Sequence, residues 1–260
     1  MAGGSVLVGR DGPIATVTLS SPGRMNALDK TMWSQLGAAM SELGADDALR
    51  CIVIRGDGDK AFAAGADIAE FKNERANSAQ AKAYSRGGIG WMHSVADCPV
   101  PTVALIQGAC VGGGLLIASQ CDLRICNESA RFGVPVKNLG LTESYDELQA
   151  MMGVTGPAVA LEILLEGRIW GAREAYEKGL VNRVMADDKV VEEAYATARR
   201  IAEGAPLVAR WHKKFVRRLQ DPRPLTEEER DEGYACFDTE DFRAGVAAFL
   251  AKKKPGFAGR

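Results

Sequence analysis

Two short glycine-bearing segments constrain this chain more than anything else in it: Phe62-Ala-Ala-Gly-Ala-Asp67 and Gly108-Ala-Cys-Val-Gly-Gly-Gly114. Each follows a strand-like run, and each offers small residues whose backbone N–H groups can face a ligand. Two such loops can aim two donors at one oxygen, the arrangement that stabilises an oxyanion. One glycine cluster alone would speak only of close helix–strand packing. The pair lies about fifty residues apart and is followed by Cys121-Asp-Leu-Arg-Ile-Cys126, which makes the reading far more specific.

Hydrophobic periodicity organises the rest. Residues 5–8 and 14–19 read as a hairpin around a turn at 9–13. Asp29 is placed to cap a helix through Leu43, with Met32, Leu36, Ala39, Met40 and Leu43 at helical spacing. Strands are expected at 51–55, 102–106, 123–126 and 130–132, a helix over 79–96, and another opening at Gly113. Beyond residue 140 the pattern changes to helices, with one more strand at 180–184. The last helices span 188–203, 206–219, 226–237 and 238–252, and Thr226-Glu-Glu-Glu229 is a capping box. Strands mixed with helices early and helices alone late predict an α/β core over residues 1–200 with a helical module over 201–260.

Composition narrows the class of function. The 260 residues carry 32 Lys+Arg against 34 Asp+Glu, a net charge of −2, so no global basic face points to nucleic acid. Basic residues do gather at 210–218 and 252–254, where an anionic ligand has partners. The cysteines (51, 98, 110, 121, 126, 236) lack metal-type pairing and read as small buried hydrophobes in a reducing compartment. A strand between Cys121 and Cys126 would point them to opposite faces. The N-terminus carries no leader pattern and no apolar run approaches the ~18 residues that span a bilayer. A cytoplasmic protein with no membrane partner and no metal is the expectation.

In this order and spacing, the segments resemble the crotonase (enoyl-CoA hydratase/isomerase) superfamily. The matching pieces are Pro22-Gly-Arg-Met-Asn-Ala-Leu28, 62–68, 108–114, Cys121-Asp122, Ala130-Arg-Phe-Gly133, Gly179-Leu-Val181, and 237–242 through 248–255. The resemblance implies a spiral of ββα units with a helical C-terminal trimerisation region, giving homotrimers or homohexamers. It implies an acyl-CoA substrate, with coenzyme A carried as part of that substrate and no separate cofactor. By this similarity the amides of Ala66 and Gly113 form the oxyanion hole, and Ala64, Asp67, Ile68, Leu116 and Val136 belong to the substrate site. Arg24, Phe249 and Lys252, with Lys253, match the positions that meet the coenzyme, the last three from a neighbouring subunit. Phe71, Ile89 and Trp91 are candidates for the acyl pocket.

The chain also departs from the family pattern. Hydratases of this family place glutamates three residues past the oxyanion glycine and after the proline of a Phe-Gly-x-Pro stretch. Here those positions are Leu116 and Val136, whose aliphatic side chains cannot exchange protons. A replacement acid–base group is sought in Thr142-Glu-Ser-Tyr-Asp-Glu147, where related decarboxylases, dehalogenases and isomerases place theirs. Ser144 and Glu147 have capping-box spacing, which leaves Glu143 as the first candidate, Asp146 as the second and Tyr145 close behind. A carboxyl group beside an apolar pocket has its pKa raised toward neutrality, which suits proton transfer.

Other polar residues have plainer readings. His93 reads as packed or partly exposed, His212 as facing solvent or a neighbour, and Lys137 as a surface residue. Asp67 caps the helix after it, and Asp122 is structural. Two functions stay open at the level of sequence. One is an acyl-CoA enzyme working through a thioester enolate: an isomerase, decarboxylase, dehalogenase or thioester hydrolase rather than an ordinary two-glutamate hydratase. The other is a catalytically silent acyl-CoA-binding subunit.

Overall fold

Alternation along the central strands shows where the core sits. In the computed structural model, which describes residues 3–260 and all their side chains except those at 73 and 85–92, Ile52 and Ile54 enter one apolar layer. Their neighbours Cys51 and Val53 enter a second layer on the other face. Successive side chains of a strand point to opposite faces, so a run that is apolar throughout marks a sheet covered on both sides.

The elements in chain order are β1 (Ser5–Asp11), β2 (Ile14–Ser20), α1 (Lys30–Gly44), β3 (Cys51–Gly56), β4 (Ala61–Ala63), α2 (Phe71–Glu74), α3 (Ser78–Asp97), β5 (Thr102–Ile106), β6 (Ala109–Val111) and α4 (Gly113–Gln120). They continue with β7 (Leu123–Asn127), β8 (Arg131–Gly133), α5 (Tyr145–Glu166), β9 (Trp170–Gly171), α6 (Ala172–Glu177), β10 (Arg183–Met185), α7 (Val190–Ala202), α8 (Pro206–Arg218), α9 (Glu227–Glu232) and α10 (Glu240–Leu250). The larger sheet has the order β1-β2-β3-β5-β7-β10 and the smaller one β4-β6-β8-β9. β1 is antiparallel to β2, whereas the strands from β2 to β10 run parallel. Helix α7 covers one face of the large sheet through Val190, Ala194, Ala198 and Ala202. The other face packs against α1, α4 and the small sheet around Leu36, Met40, Leu115 and Phe132.

Of the small sheet only β8 was expected from the sequence, at 130–132, and this sheet is what builds the site. Its first strands, β4 and β6, lie inside the segments that read as glycine loops. β4, β6 and β8 are parallel neighbours. Parallel strands deliver their carboxyl ends to one edge, so the chain leaving β4 at Ala64, β6 at Gly112 and β8 at Val134 converges there.

Several other expectations change. The hairpin turn is tighter than 9–13, because β1 continues to Asp11 and pairs with Ile14. The last strand is shifted to Arg183–Met185, and the helix expected over 226–237 breaks into α9 and a 3-10 turn at Ala235–Asp238. Cys121 ends α4 rather than starting a strand, so it joins Cys126 in the same apolar layer instead of the opposite one. Cys236 is half-buried, while the other cysteines are buried. Helix α5 is 22 residues long with a stretch of mean hydropathy 1.5, long and apolar enough by composition to cross a membrane, contrary to the expectation of no such run. Non-helical backbone at Gly156, before Pro157, interrupts it, and it packs on α4.

Candidate active site

The donor pair comes from local backbone rules. Leu28 N–H donates to Gly65 O, and Asp67 N–H donates to Leu28 O, a parallel bridge that flanks Ala66. Leu28 therefore spends its bonds on the two neighbours of Ala66, and the Ala66 amide points the other way. Gly65 turns the chain there with φ +103°, and Gly112 does the same before α4 with φ +52°; both are conformations that favour glycine. Gly113 is the first residue of α4, so its N–H is one of the donors a helix start leaves without an internal partner. A Cβ placed on Gly113 would stand 3.5 Å from Ala66 N, so the two amides sit side by side. The positive end of the α4 macrodipole reinforces them.

These amides border a cavity of about 470 Å³. Its apolar wall includes Ala64, Ile68, Phe71, Leu116 and Val136. Leu116 is 1% exposed and Val136 half-buried, so the aliphatic residues at both expected glutamate positions do face the site. The pocket contains no carboxylate at either place.

The carboxyl groups that do line it come from the start of α5. The Ser144 hydroxyl accepts from Glu147 N–H at 3.4 Å, and Ser144 N–H donates to Glu147 Oε2 at 2.6 Å, the expected capping box. Glu143, Asp146 and Glu147 all line the cavity. Burial pushes the Glu143 carboxyl up to about 8, helped by the negative charge of Glu147 and a hydrogen bond to it, while Arg75 pulls weakly in the opposite direction. Glu143 is thus mostly a neutral acid at pH 7. Asp146 Oδ1 lies 3.8 Å from His93 Nε2, and His93 lines the cavity as well. Tyr145, the third sequence candidate, is 92% exposed and points into solvent because the first turn of α5 rotates it away from the cavity.

Other sequence candidates fall outside the pocket wall. Asp67 Oδ1 accepts from Ala69 N–H at 3.0 Å, and Arg24 bridges Asp67 at 2.5 Å and Asp29 at 3.4 Å. Both therefore brace the loop that holds Ala66 rather than lining the cavity. Phe249, 82% exposed, and Lys252, with φ +52°, lie on and just after α10, away from this chain's own cavity. Asp122 is structural, binding Thr102, Lys213 and Arg217. His212 and Lys137 are exposed. Phe71 lines the cavity as expected, whereas the side chains of Ile89 and Trp91 lie outside the described residues.

Sequence reasoning missed Trp33, Arg75, Tyr84 and Gln120, which also line the cavity. None sits in a spacing that announces chemistry. Trp33 reads as one more apolar residue of α1, and Arg75 as a charge in the polar stretch between α2 and α3.

Comparison with known proteins gives the family of the chain. The family model described as enoyl-CoA hydratase/isomerase matches residues 9–260. A protein of Rhizobium meliloti named "Probable enoyl-CoA hydratase" is 36% identical over 98% of both chains. The "Crotonyl-CoA hydratase" of Syntrophomonas wolfei is 30% identical over 99% of both. A crystal structure from Magnetospirillum magneticum, titled an enoyl-CoA hydratase/carnithine racemase, superposes with a TM-score of 0.97 at 50% identity, covering 98% of this chain and 96% of that one.

Proposed function

This chain belongs to the enoyl-CoA hydratase/isomerase family, and within it we propose an acyl-CoA lyase or isomerase that works through a thioester enolate with one carboxylic acid. The substrate's thioester oxygen lies between the amides of Ala66 and Gly113. Negative charge grows on that oxygen when the neighbouring carbon loses a proton, or loses carbon dioxide and keeps the bonding pair, and two fixed donors beside a helix start stabilise it. In decarboxylation the neutral Glu143 delivers its proton to the enolate carbon, and in isomerisation its ionised fraction first removes the proton and then returns it to the other end of the enolate. Leu116 and Val136 keep the rest of the wall apolar. The observation that carries this reading is the half-buried Glu143, its carboxyl pushed up to about 8, in the same cavity as the paired amides.

Double-bond isomerisation and decarboxylation need one such acid–base group, whereas two-glutamate hydration needs the pair that positions 116 and 136 lack. The names of the relatives favour a second reading, a hydratase that activates water with Glu143 alone. Incubating the protein with enoyl-, malonyl- and β-hydroxyacyl-CoAs and weighing the products tests both readings. A product from the malonyl or isomerisable enoyl substrates supports the first, and hydration alone supports the second. A protein that binds every thioester and converts none is the silent subunit.

The coenzyme arrives with the substrate, and its phosphates are met by Arg24 and, from a neighbouring copy, by Lys252 beside Phe249. This reading calls for a homotrimer or a homohexamer. It is supported by the apolar residues that the single chain leaves in solvent, including Leu161, Leu165, Phe249 and Leu250.

A further inference from the structure

Arg75 lines the cavity wall and forms no ion pair among the described residues. It closes the C-terminus of α2, and its guanidinium carbon lies 4.6 Å from the ring centre of Phe71 and 3.9 Å from that of Tyr84. Tyr84 is itself buried. Stacking on two rings removes the freedom of a long side chain and fixes the plane of its donors. Yet its Nε is sealed from solvent with no hydrogen-bond partner, and among the described residues no carboxylate lies within 4.0 Å of it. Other arginines that are at least half-buried are satisfied: Arg24 by Asp67, Arg210 by Asp47, Arg217 by Asp122, and Arg124 by the carbonyls of Leu180 and Cys121.

None of the described acids near Arg75 forms an ion pair with it, although Glu147 keeps its negative charge in the same cavity wall. Glu74 is engaged by Lys30, and Glu147 by the α5 cap. Glu143 is mostly protonated at neutral pH. A desolvated guanidinium with spare donors is costly until an anion meets it, and a planar carboxylate matches its fork.

We propose that Arg75 selects acyl-CoA substrates whose acyl chain carries a carboxylate of its own. This rests on the acyl-CoA reading above and adds a specificity-determining residue to it. The carboxylate pairs with the terminal nitrogens of the stacked guanidinium, on a cavity wall that Arg75 shares with Glu143, Asp146 and Glu147. A plain alkyl chain in the same cavity leaves the cation unpaired.

Calorimetric titration of the full chain tests this with succinyl-CoA against butyryl-CoA, glutaryl-CoA against pentanoyl-CoA, and free coenzyme A. At least one dicarboxylic thioester is expected to bind ~10-fold tighter than its neutral counterpart, the span of one charge-assisted hydrogen bond. Arg75→Met is expected to abolish that preference and leave neutral thioesters within about twofold, while Arg75→Lys keeps part of it. Equal affinities within both pairs in the wild-type protein overturn the proposal, and this comparison needs no variant. Equal weakening of coenzyme A and all thioesters by Arg75→Met also overturns it, placing the guanidinium on the coenzyme's phosphates. If no thioester binds at all, the acyl-CoA reading itself fails, a result distinct from binding without preference.

Discussion

Glu147 lines the same cavity as Glu143 and is held by Ser144 N–H, which donates to its Oε2 at 2.6 Å. The cap of α5 therefore does two things at once. It fixes the start of the helix, and it parks a carboxylate where it keeps its neighbour protonated. The proton that Glu143 retains comes from burial first and from Glu147 second.

That pairing makes stability depend on pH in a defined direction. The Glu143 carboxyl is raised from 4.5 to about 8 in the folded chain, so the folded state holds its proton more tightly than the unfolded state. Its contribution is complete below the unfolded value and is lost as pH rises through about 8. Tm is expected to fall between about pH 4.5 and about pH 8, and Glu143→Gln to flatten that fall. Thermal unfolding of both proteins across this range checks it; identical slopes would remove Glu143 from the titration.

The oxyanion pair is open to a paired substitution. Proline is tolerated at the first position of a helix, so Gly113→Pro removes the N–H and keeps α4. Gly113→Ala adds a Cβ that stands 3.1 Å from the Trp33 ring but keeps the donor. Proline is expected to lower kcat by ~10²–10³-fold and alanine by much less. Equal loss in both variants would assign the effect to crowding against Trp33.

Much of this site could be read before the fold was known. The glycine segments 62–67 and 108–114 and the capping box of Ser144 and Glu147 follow from local chemistry that short stretches carry, whereas Ala66, Gly113 and the loop of Glu143 are singled out by the family resemblance. The small sheet was hidden because β4, β6 and β9 are only two or three residues long, too short for any period to show. Tyr145 was overvalued because its rotation on α5 depends on where that helix docks. Arg75 and Tyr84 gave no signal, since their meeting depends on how α2 and α3 fold back over the cavity.

Leu116 and Val136 set the expected hydration rate. General acid and base groups each contribute typically ~10²–10⁴-fold, and neither position supplies one here. Hydration of crotonyl-CoA, followed by the loss of conjugated-thioester absorbance, is expected to run at least ~10²-fold below that of a two-glutamate hydratase. A rate within about tenfold of such an enzyme would show that Glu143 alone suffices for water activation.

The exposed apolar residues on α5 and α10 carry an expectation of assembly. Leu165 at 69% and Leu250 at 76% exposure are costly to leave in water. Light scattering at micromolar concentration is expected to give a trimer or a hexamer, and a stable monomer would contradict the assembly proposed above.

Exchange of the substrate's own proton tests the central chemistry without knowledge of the natural reaction. In deuterated water the protein should wash deuterium into the carbon next to the thioester of butyryl-CoA, with a rate that rises as Glu143 ionises near about 8. Glu143→Gln keeps size and removes the exchangeable proton, so binding should persist while exchange falls by ~10²-fold or more. Exchange at the wild-type rate in the glutamine variant, together with its loss in Asp146→Asn, would move the proton to Asp146; exchange unchanged in both would place the acid–base group outside this loop.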